Sequence, residues 1–276
     1  MGKFKKRQMM KNIGWNKMEF LKREELDKYA WHKGFFQYQW NPKIWKRNFN
    51  ELKLRDISLF NFGDFYQKKI LDIGCGEGLY MLTFFKMGAS YTGGQDISTD
   101  LVEKAISICN ENGFNPDVKV GDCTQLYFEN NTFDLVFSGD VFEHITEDQK
   151  NQCIAEIFRV LKPGGLVTIK TPNLDYLKLS VFLKRLYAIF KFSNPFKIHI
   201  AHTKNNPDNE HHGLTTYKKL IKLLINNTFH EPTITYHQLE RKNVSVFISK
   251  FFKKNKSFNE HIIMTARKPI FYGLYD

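Results

Sequence analysis

Tryptophan is absent beyond residue 45: Trp15, Trp31, Trp40 and Trp45 are the chain's 4, among 276 residues. Cysteine is equally scarce, also 4 residues. Cys75, Cys109, Cys123 and Cys153 form no C-x-x-C pair, which argues against a disulfide frame or a zinc site and for free thiols in a reducing compartment. The basic segment from Met1 to Lys11 has no apolar stretch after it, so no secretory signal is expected, and Met1-Gly2-Lys3-Phe4-Lys5-Lys6 lacks the Ser or Thr that myristoylation wants at its sixth position. The apolar stretch over 177–192 is too short and too charged to cross a bilayer. Internal repeats and low-complexity linkers are missing too. These absences predict a single domain over 1–276 with a cytoplasmic location.

Acidic residues are outnumbered only in the two end segments. Residues 1–70 carry 17 Lys and Arg against 7 Asp and Glu, residues 71–170 carry 7 against 15, and residues 171–276 again carry 17 against 7. The formal net charge of +12 therefore resides in the flanks. Such a basic rim attracts an anionic substrate, nucleic acid or an acidic membrane surface, or simply keeps a lysine-rich surface soluble.

The central part is organised around Lys69-Ile70-Leu71-Asp72-Ile73-Gly74-Cys75-Gly76-Glu77-Gly78. An apolar strand here runs into glycines at alternate positions, where the chain bends sharply and approaches a ligand at the N-terminus of the next helix. A second strand ends at Asp96, 18 residues past Gly78, where a carboxylate accepts the hydrogens of a ribose diol. Helical periodicity over 100–110, a strand at 117–120 leading to Gly121-Asp122-Cys123, and a strand at 132–137 leading to Ser138-Gly139-Asp140 follow. A helix over 147–161, the turn Lys162-Pro163-Gly164-Gly165 and a fifth strand at 166–170 complete the series. Strands alternating with helices imply a parallel sheet whose ligand sits at the carboxyl ends of its strands.

These motifs, with Glu143-His144-Ile145, Arg159-Val160-Leu161-Lys162-Pro163-Gly164-Gly165 and Thr171-Pro172-Asn173, resemble the class I S-adenosylmethionine (SAM)-dependent methyltransferases over residues 69–172. The glycine spacing, G-x-G-x-G rather than G-x-G-x-x-G, separates the chain from the dinucleotide dehydrogenases. The resemblance implies a Rossmann-like α/β fold of seven strands, mostly parallel, with the last strand antiparallel between the fifth and sixth and helices on both faces. It implies that Asp72, Gly74, Cys75, Gly76 and Gly78 line the methionine end of SAM. Asp96, with Ile97 beside it, would hold the ribose, Asp122 and Cys123 would face the adenine, and Asp140 would lie near the methionine moiety.

His144, just beyond the fourth strand, is the expected general base for an acceptor hydroxyl, with a supporting role in the SAM loop as the alternative. Asp140, Glu143 and His144 also form a D-x-x-E-H pattern, with His211-His212 later in the chain. This is similar to the E-x-x-E-H arrangement of ubiquinone-pathway O-methyltransferases and small-RNA terminal 2′-O-methyltransferases. It implies a Mg²⁺ or Mn²⁺ site at Asp140, Glu143, His144 and His212, although Asp140 replaces the first Glu.

The flanks decide the acceptor. Residues 1–68 are expected to form an N-terminal helical extension, with 19–50 either an aromatic lid over the cofactor or helices that their aromatics anchor to the core. Residues 173–213 are read as a substrate-capping insert, with ordinary core packing as the alternative; its apolar stretch could also lie at a membrane interface, bind a lipidic or aromatic acceptor, or form a dimer contact. Residues 214–276 return to the sheet through strands at 232–236 and 261–266, with an apolar helix at 244–252 between them. The expected activity is O-methylation of a small-molecule or glycan acceptor, such as a sugar or a quinone-like phenol. Three alternatives stay open: a 2′-O-methyltransferase of RNA, an N- or C-methyltransferase, and a SAM-binding module without catalysis. The oligomeric state is undetermined.

Overall fold

The computed structural model describes residues 65–86, 88–200, 203, 211–236 and 261–270. The expected lid at 19–50 and helix at 244–252 lie outside the described residues.

Seven strands form one sheet: β1 (Lys69–Ile73), β2 (Tyr91–Asp96), β3 (Asp117–Val120), β4 (Phe133–Gly139), β5 (Leu161–Pro172), β6 (His230–Tyr236) and β7 (His261–Arg267). Their order is β3-β2-β1-β4-β5-β7-β6. β1 to β5 pair in parallel, whereas β7 runs antiparallel between β5 and β6. This is the Rossmann-like sheet that the motifs imply. Among the described residues the α-helices are α1 (Leu79–Lys86), α2 (Thr99–Glu111), α3 (Glu147–Val160), α4 (Leu174–Phe190) and α5 (Tyr217–Asn226).

Period-two alternation divides the sheet's side chains between two layers. Leu71, Ile73, Val136, Ile262 and Met264 point to one side, where Ile154, Ile157 and Val160 of α3 and Leu220 and Leu224 of α5 close over them. Ile70, Leu135, Phe137 and Ile263 point to the other, against Tyr80 and Phe84 of α1. Met81 and Leu82 then join α1 to Ile108 and Cys109 of α2. All four cysteines are free thiols, and three of them are buried.

Local chemistry starts the helices that frame the site. Ser98 caps α2 by accepting from Leu101 N, and Thr146 caps α3 in a box with Gln149, each side chain bonding the other residue's backbone N–H. One expectation changes in detail. Lys162-Pro163-Gly164-Gly165 does not precede β5 but bulges within it, since Phe133 pairs with Leu161 and Leu135 with Leu166. Lys268, the residue after β7, fastens this bulge: its N–H donates to Gly165 O, and its buried ammonium donates to Asn131 Oδ1, Phe158 O and Leu161 O at 2.7–2.8 Å.

Candidate cofactor cavity and active site

The strand order reverses between β1 and β4, so the connections leaving them turn to opposite faces and open a crevice at their carboxyl ends. A cavity of about 490 Å³ occupies this crevice.

Its floor is the glycine turn. Gly74 has φ +68°, and a Cβ there would collide with Val141; Gly76 has φ +53° and faces open space. Gly76 N donates to Asp96 Oδ2 at 2.8 Å, and Ser98 N donates to Asp96 Oδ1 at 3.0 Å. Each oxygen of Asp96 thus has one backbone partner and a further lone pair to offer a hydroxyl. Gln95 holds the opposite wall. Its buried amide donates to Asp122 O and Gln125 O at 2.8 Å and accepts from Tyr127 N at 3.0 Å, which places Asp122 and Cys123 on the cavity surface.

The third wall follows β4. Asp140 has φ +59°, its N–H donates to Lys170 O at 2.9 Å, and its carboxylate accepts from Lys170 Nζ at 3.3 Å. The chain then turns through Val141, whose carbonyl accepts from His144 N at 2.9 Å, so the His144 side chain reaches the cavity wall. Glu143 points inward and is only 2% exposed. Thr171 Oγ1 donates to its Oε2 at 3.0 Å. Burial, followed by the charge on Asp140, pushes the Glu143 pKa up to about 8.

His211 comes to this point from a distant part of the chain. The His144 and His211 rings meet edge to face with centroids 4.8 Å apart. One ligand atom from each of Glu143, His144 and His211 lies within 4.8 Å of the others. Gly213 secures the segment: its N–H donates to Glu143 O at 2.8 Å, and its carbonyl accepts from the buried ammonium of Lys150. A Cβ at Gly213 would overlap the carbonyl oxygens of Phe142 and Ile145, so this crossing requires glycine.

Of the residues singled out in the sequence, Gly74, Cys75, Gly76, Asp96, Ile97, Asp122, Cys123, Asp140 and His144 line the cavity. Asp72 and Gly78 are not among the lining residues: Asp72 is buried within β1 beneath the turn, and Gly78 packs closely on Ala105 of α2. Of the expected metal ligands, Glu143 and His144 cluster with His211; His212 is exposed, and Asp140 pairs with Lys170. Sequence reasoning missed Glu77, Tyr80, Gln95 and Gln149 as lining residues. The capping box that starts at Thr146 was a usable signal for Gln149. Tyr80 had none.

Charge identifies the kind of ligand. Glu77, Asp96, Asp122 and Asp140 line the cavity, and no Lys or Arg does so among the described residues. Glu77 Oε1 is buried without a hydrogen-bond partner, its ion-pair partner Lys104 standing 3.7 Å away, and burial raises its pKa. Four carboxyl groups repel a pyrophosphate and favour a ligand with positive charge. The sulfonium, ammonium and ribose of SAM fit this donor set.

Comparison with known proteins agrees. Residues 70–165 match the methyltransferase domain family. Phosphoethanolamine N-methyltransferase 3 of Arabidopsis thaliana is 30% identical over 128 residues, 43% of this chain and 24% of that protein. Ubiquinone biosynthesis O-methyltransferase of Chelativorans sp. is 32% identical over 150 residues, 50% of this chain and 58% of that protein. The alignment thus spans less than two thirds of either curated relative. A SAM-dependent methyltransferase structure from Methanosarcina mazei superposes with a TM-score of 0.57 at 22% identity, covering 78% of this chain and 98% of that one, and shares the fold.

Proposed function

We propose that this chain, whose residues 70–165 match a methyltransferase domain, is a class I SAM-dependent methyltransferase that transfers the methyl group of SAM to an oxygen of a small or medium-sized acceptor, a sugar or phenol hydroxyl. The observation that carries this reading is an acidic, cation-suited cavity with the imidazole of His144 on its wall.

When bound, SAM supplies a methyl group already activated by its sulfonium. The chain's residues then have to bind, orient and exclude water. Asp96 would hold the ribose hydroxyls with its remaining lone pairs, Asp122 would face the adenine, and Glu77 and Asp140 would balance the positive charge. His144 is assigned to take the acceptor's proton as its oxygen attacks. Positioning alone supplies about 7–11 kcal/mol in favourable cases, so one base and a dry, shaped site suffice.

A second reading is favoured by the Glu143, His144 and His211 cluster. These residues would hold Mg²⁺ or Mn²⁺, which would lower the pKa of an acceptor hydroxyl in place of general-base catalysis by His144. Among the relatives, the phosphoethanolamine N-methyltransferase makes nitrogen the rival acceptor atom.

Calorimetric titration of EDTA-treated protein with S-adenosylhomocysteine, with and without Mn²⁺ and a short RNA, tests these readings. Binding that Asp96→Ala weakens supports the donor site, and its absence from a folded protein refutes it. Labelled methyl transfer then identifies the acceptor atom. Turnover that survives His144→Ala removes this residue as base. Strongly salt-dependent RNA binding would redirect the reading to RNA, and donor binding without turnover on any acceptor would support a non-catalytic module.

A further inference from the structure

α4 is apolar on two faces, and only one is packed against other described residues. At about 100° per residue, Leu174, Leu177, Val181 and Ala188 form one stripe; Ala188 is buried and the other three are partly covered. Opposite this stripe, Phe182, Leu183, Leu186, Tyr187, Ile189 and Phe190 fall within an arc of roughly 160°, and all are exposed, Phe190 at 81%. The apolar surface continues past the helix through Phe192 and Phe196, both also exposed. A contiguous face of this kind is far more than the scattered apolar residues a soluble surface normally shows, and it marks an interaction site.

The rim identifies the partner. Lys184 and Lys191 project along one edge of the apolar arc and Lys178 and Arg185 along the other, with Lys197 beyond the helix; Asp175 is the one acidic residue in 174–200. Arg185 also donates from Nε and Nη2 to Ile198 O at 3.0 and 2.8 Å, folding the segment of Phe192 and Phe196 back toward α4. An apolar face with a cationic border matches the boundary between acyl chains and anionic headgroups. The same border disfavours other occupants. A second copy would bring an identical positive rim, and residues 1–64 carry 15 Lys and Arg against 7 Asp and Glu. No helix among the described residues is long and apolar enough to cross a membrane, so the contact would be peripheral.

We propose that α4 and the segment through Phe196 form a docking surface for an anionic phospholipid bilayer. The surface is placed usefully. Asn173 at the carboxyl end of β5 caps α4, with its Oδ1 accepting from Asp175 N at 3.2 Å, and the cavity opens at that same end of the sheet. A bilayer-resident acceptor would come within reach of the cavity; this last consequence rests on the proposed methyl transfer, whereas the docking does not.

The test is flotation of the full chain with vesicles of phosphatidylcholine alone or of equal parts phosphatidylcholine and phosphatidylglycerol, at low and high salt. Binding to the anionic vesicles that salt weakens is expected. Lys184→Gln with Lys191→Gln should reduce partitioning roughly thirtyfold, and Phe182→Ser with Leu186→Ser and Phe190→Ser should abolish it. These side chains are exposed, so an unchanged melting temperature and circular dichroism spectrum will certify the fold. No flotation with anionic vesicles, or flotation that the Phe182, Leu186 and Phe190 substitutions leave intact, overturns the proposal. So does a dimer in sedimentation velocity that those substitutions turn into monomer, which would assign the face to self-association.

Discussion

Lys150, 1% exposed within α3, donates its ammonium hydrogen to the backbone carbonyl of Gly213, 63 residues further along the chain. This bond and the Gly213 N–H to Glu143 O bond clamp the 211–213 segment against the turn that carries His144. Lys150→Met preserves the aliphatic bulk but leaves a buried carbonyl unpaired, at a cost of about 1–3 kcal/mol. A lower melting temperature and weaker Mn²⁺ binding are expected, with S-adenosylhomocysteine affinity nearly unchanged. An unaltered Mn²⁺ affinity would show that the clamp does not place His211.

Asp96→Ala should weaken S-adenosylhomocysteine binding by at least about 2 kcal/mol, some thirtyfold, because charge-assisted hydrogen bonds to the ribose are lost and Gly76 N loses its acceptor. Calorimetry reads this directly. The same titration of Glu77→Gln should show a smaller loss, from the charge alone.

Gln95 holds Asp122 on the cavity wall, and in the proposed donor site it would act on the ligand through that residue. Replacing it by Leu removes two donated bonds and one accepted bond from a buried site, and the freed loop carries Asp122 and Cys123 away from the cavity wall. Both stability and donor affinity should fall, and adenosine, which lacks the amino-acid part, should lose affinity by the same factor as S-adenosylhomocysteine. A loss confined to stability would contradict this positioning role.

Glu143→Gln and His211→Ala separately test the metal reading. The melting temperature of the EDTA-treated wild type should rise on adding Mn²⁺ by ligand linkage, and each variant should abolish the rise. The Glu143 carboxyl, with its pKa pushed up to about 8 by burial, must lose its proton to ligate, so the Mn²⁺ effect should grow from pH 6 to pH 8. A pH-independent rise would assign the ion elsewhere.

Glu156 supplies the opposite pH signature. The Arg159 guanidinium beside it holds its carboxyl below the usual carboxylate range, and Leu126 N adds a further hydrogen bond. A depressed folded pKa contributes stability that is present above the unfolded value near 4.5 and is lost as pH falls through the folded one. Glu156→Gln should therefore be less stable than the wild type by about 1–2 kcal/mol at pH 7, and denaturant melts should show the gap closing in acid.

The strands, the glycine turn and the acid at the end of β2 were legible because each is a local pattern: period-two alternation, glycine at positive φ and a short spacing from turn to carboxylate. Asp72 illustrates the limit of such reading. It belongs to the same motif as Gly74, yet its position within β1 buries it under the turn instead of on the cavity wall. The Lys-Pro-Gly-Gly sequence reads locally as a turn before β5, but Lys268, more than a hundred residues later, holds it inside the strand.

What the amino-acid sequence determined alone was therefore the order of strands and helices, the cofactor turn and the charge of the flanks, since these depend on neighbours along the chain. The tertiary structure decided which histidine joins Glu143 and His144, how many carboxylates converge on one cavity, and which of the two apolar faces of α4 stays exposed. Adjacent residues such as His211 and His212 are equivalent as text. Only the crossing at Gly213, too tight for any Cβ, brings one to the site and leaves the other in solvent.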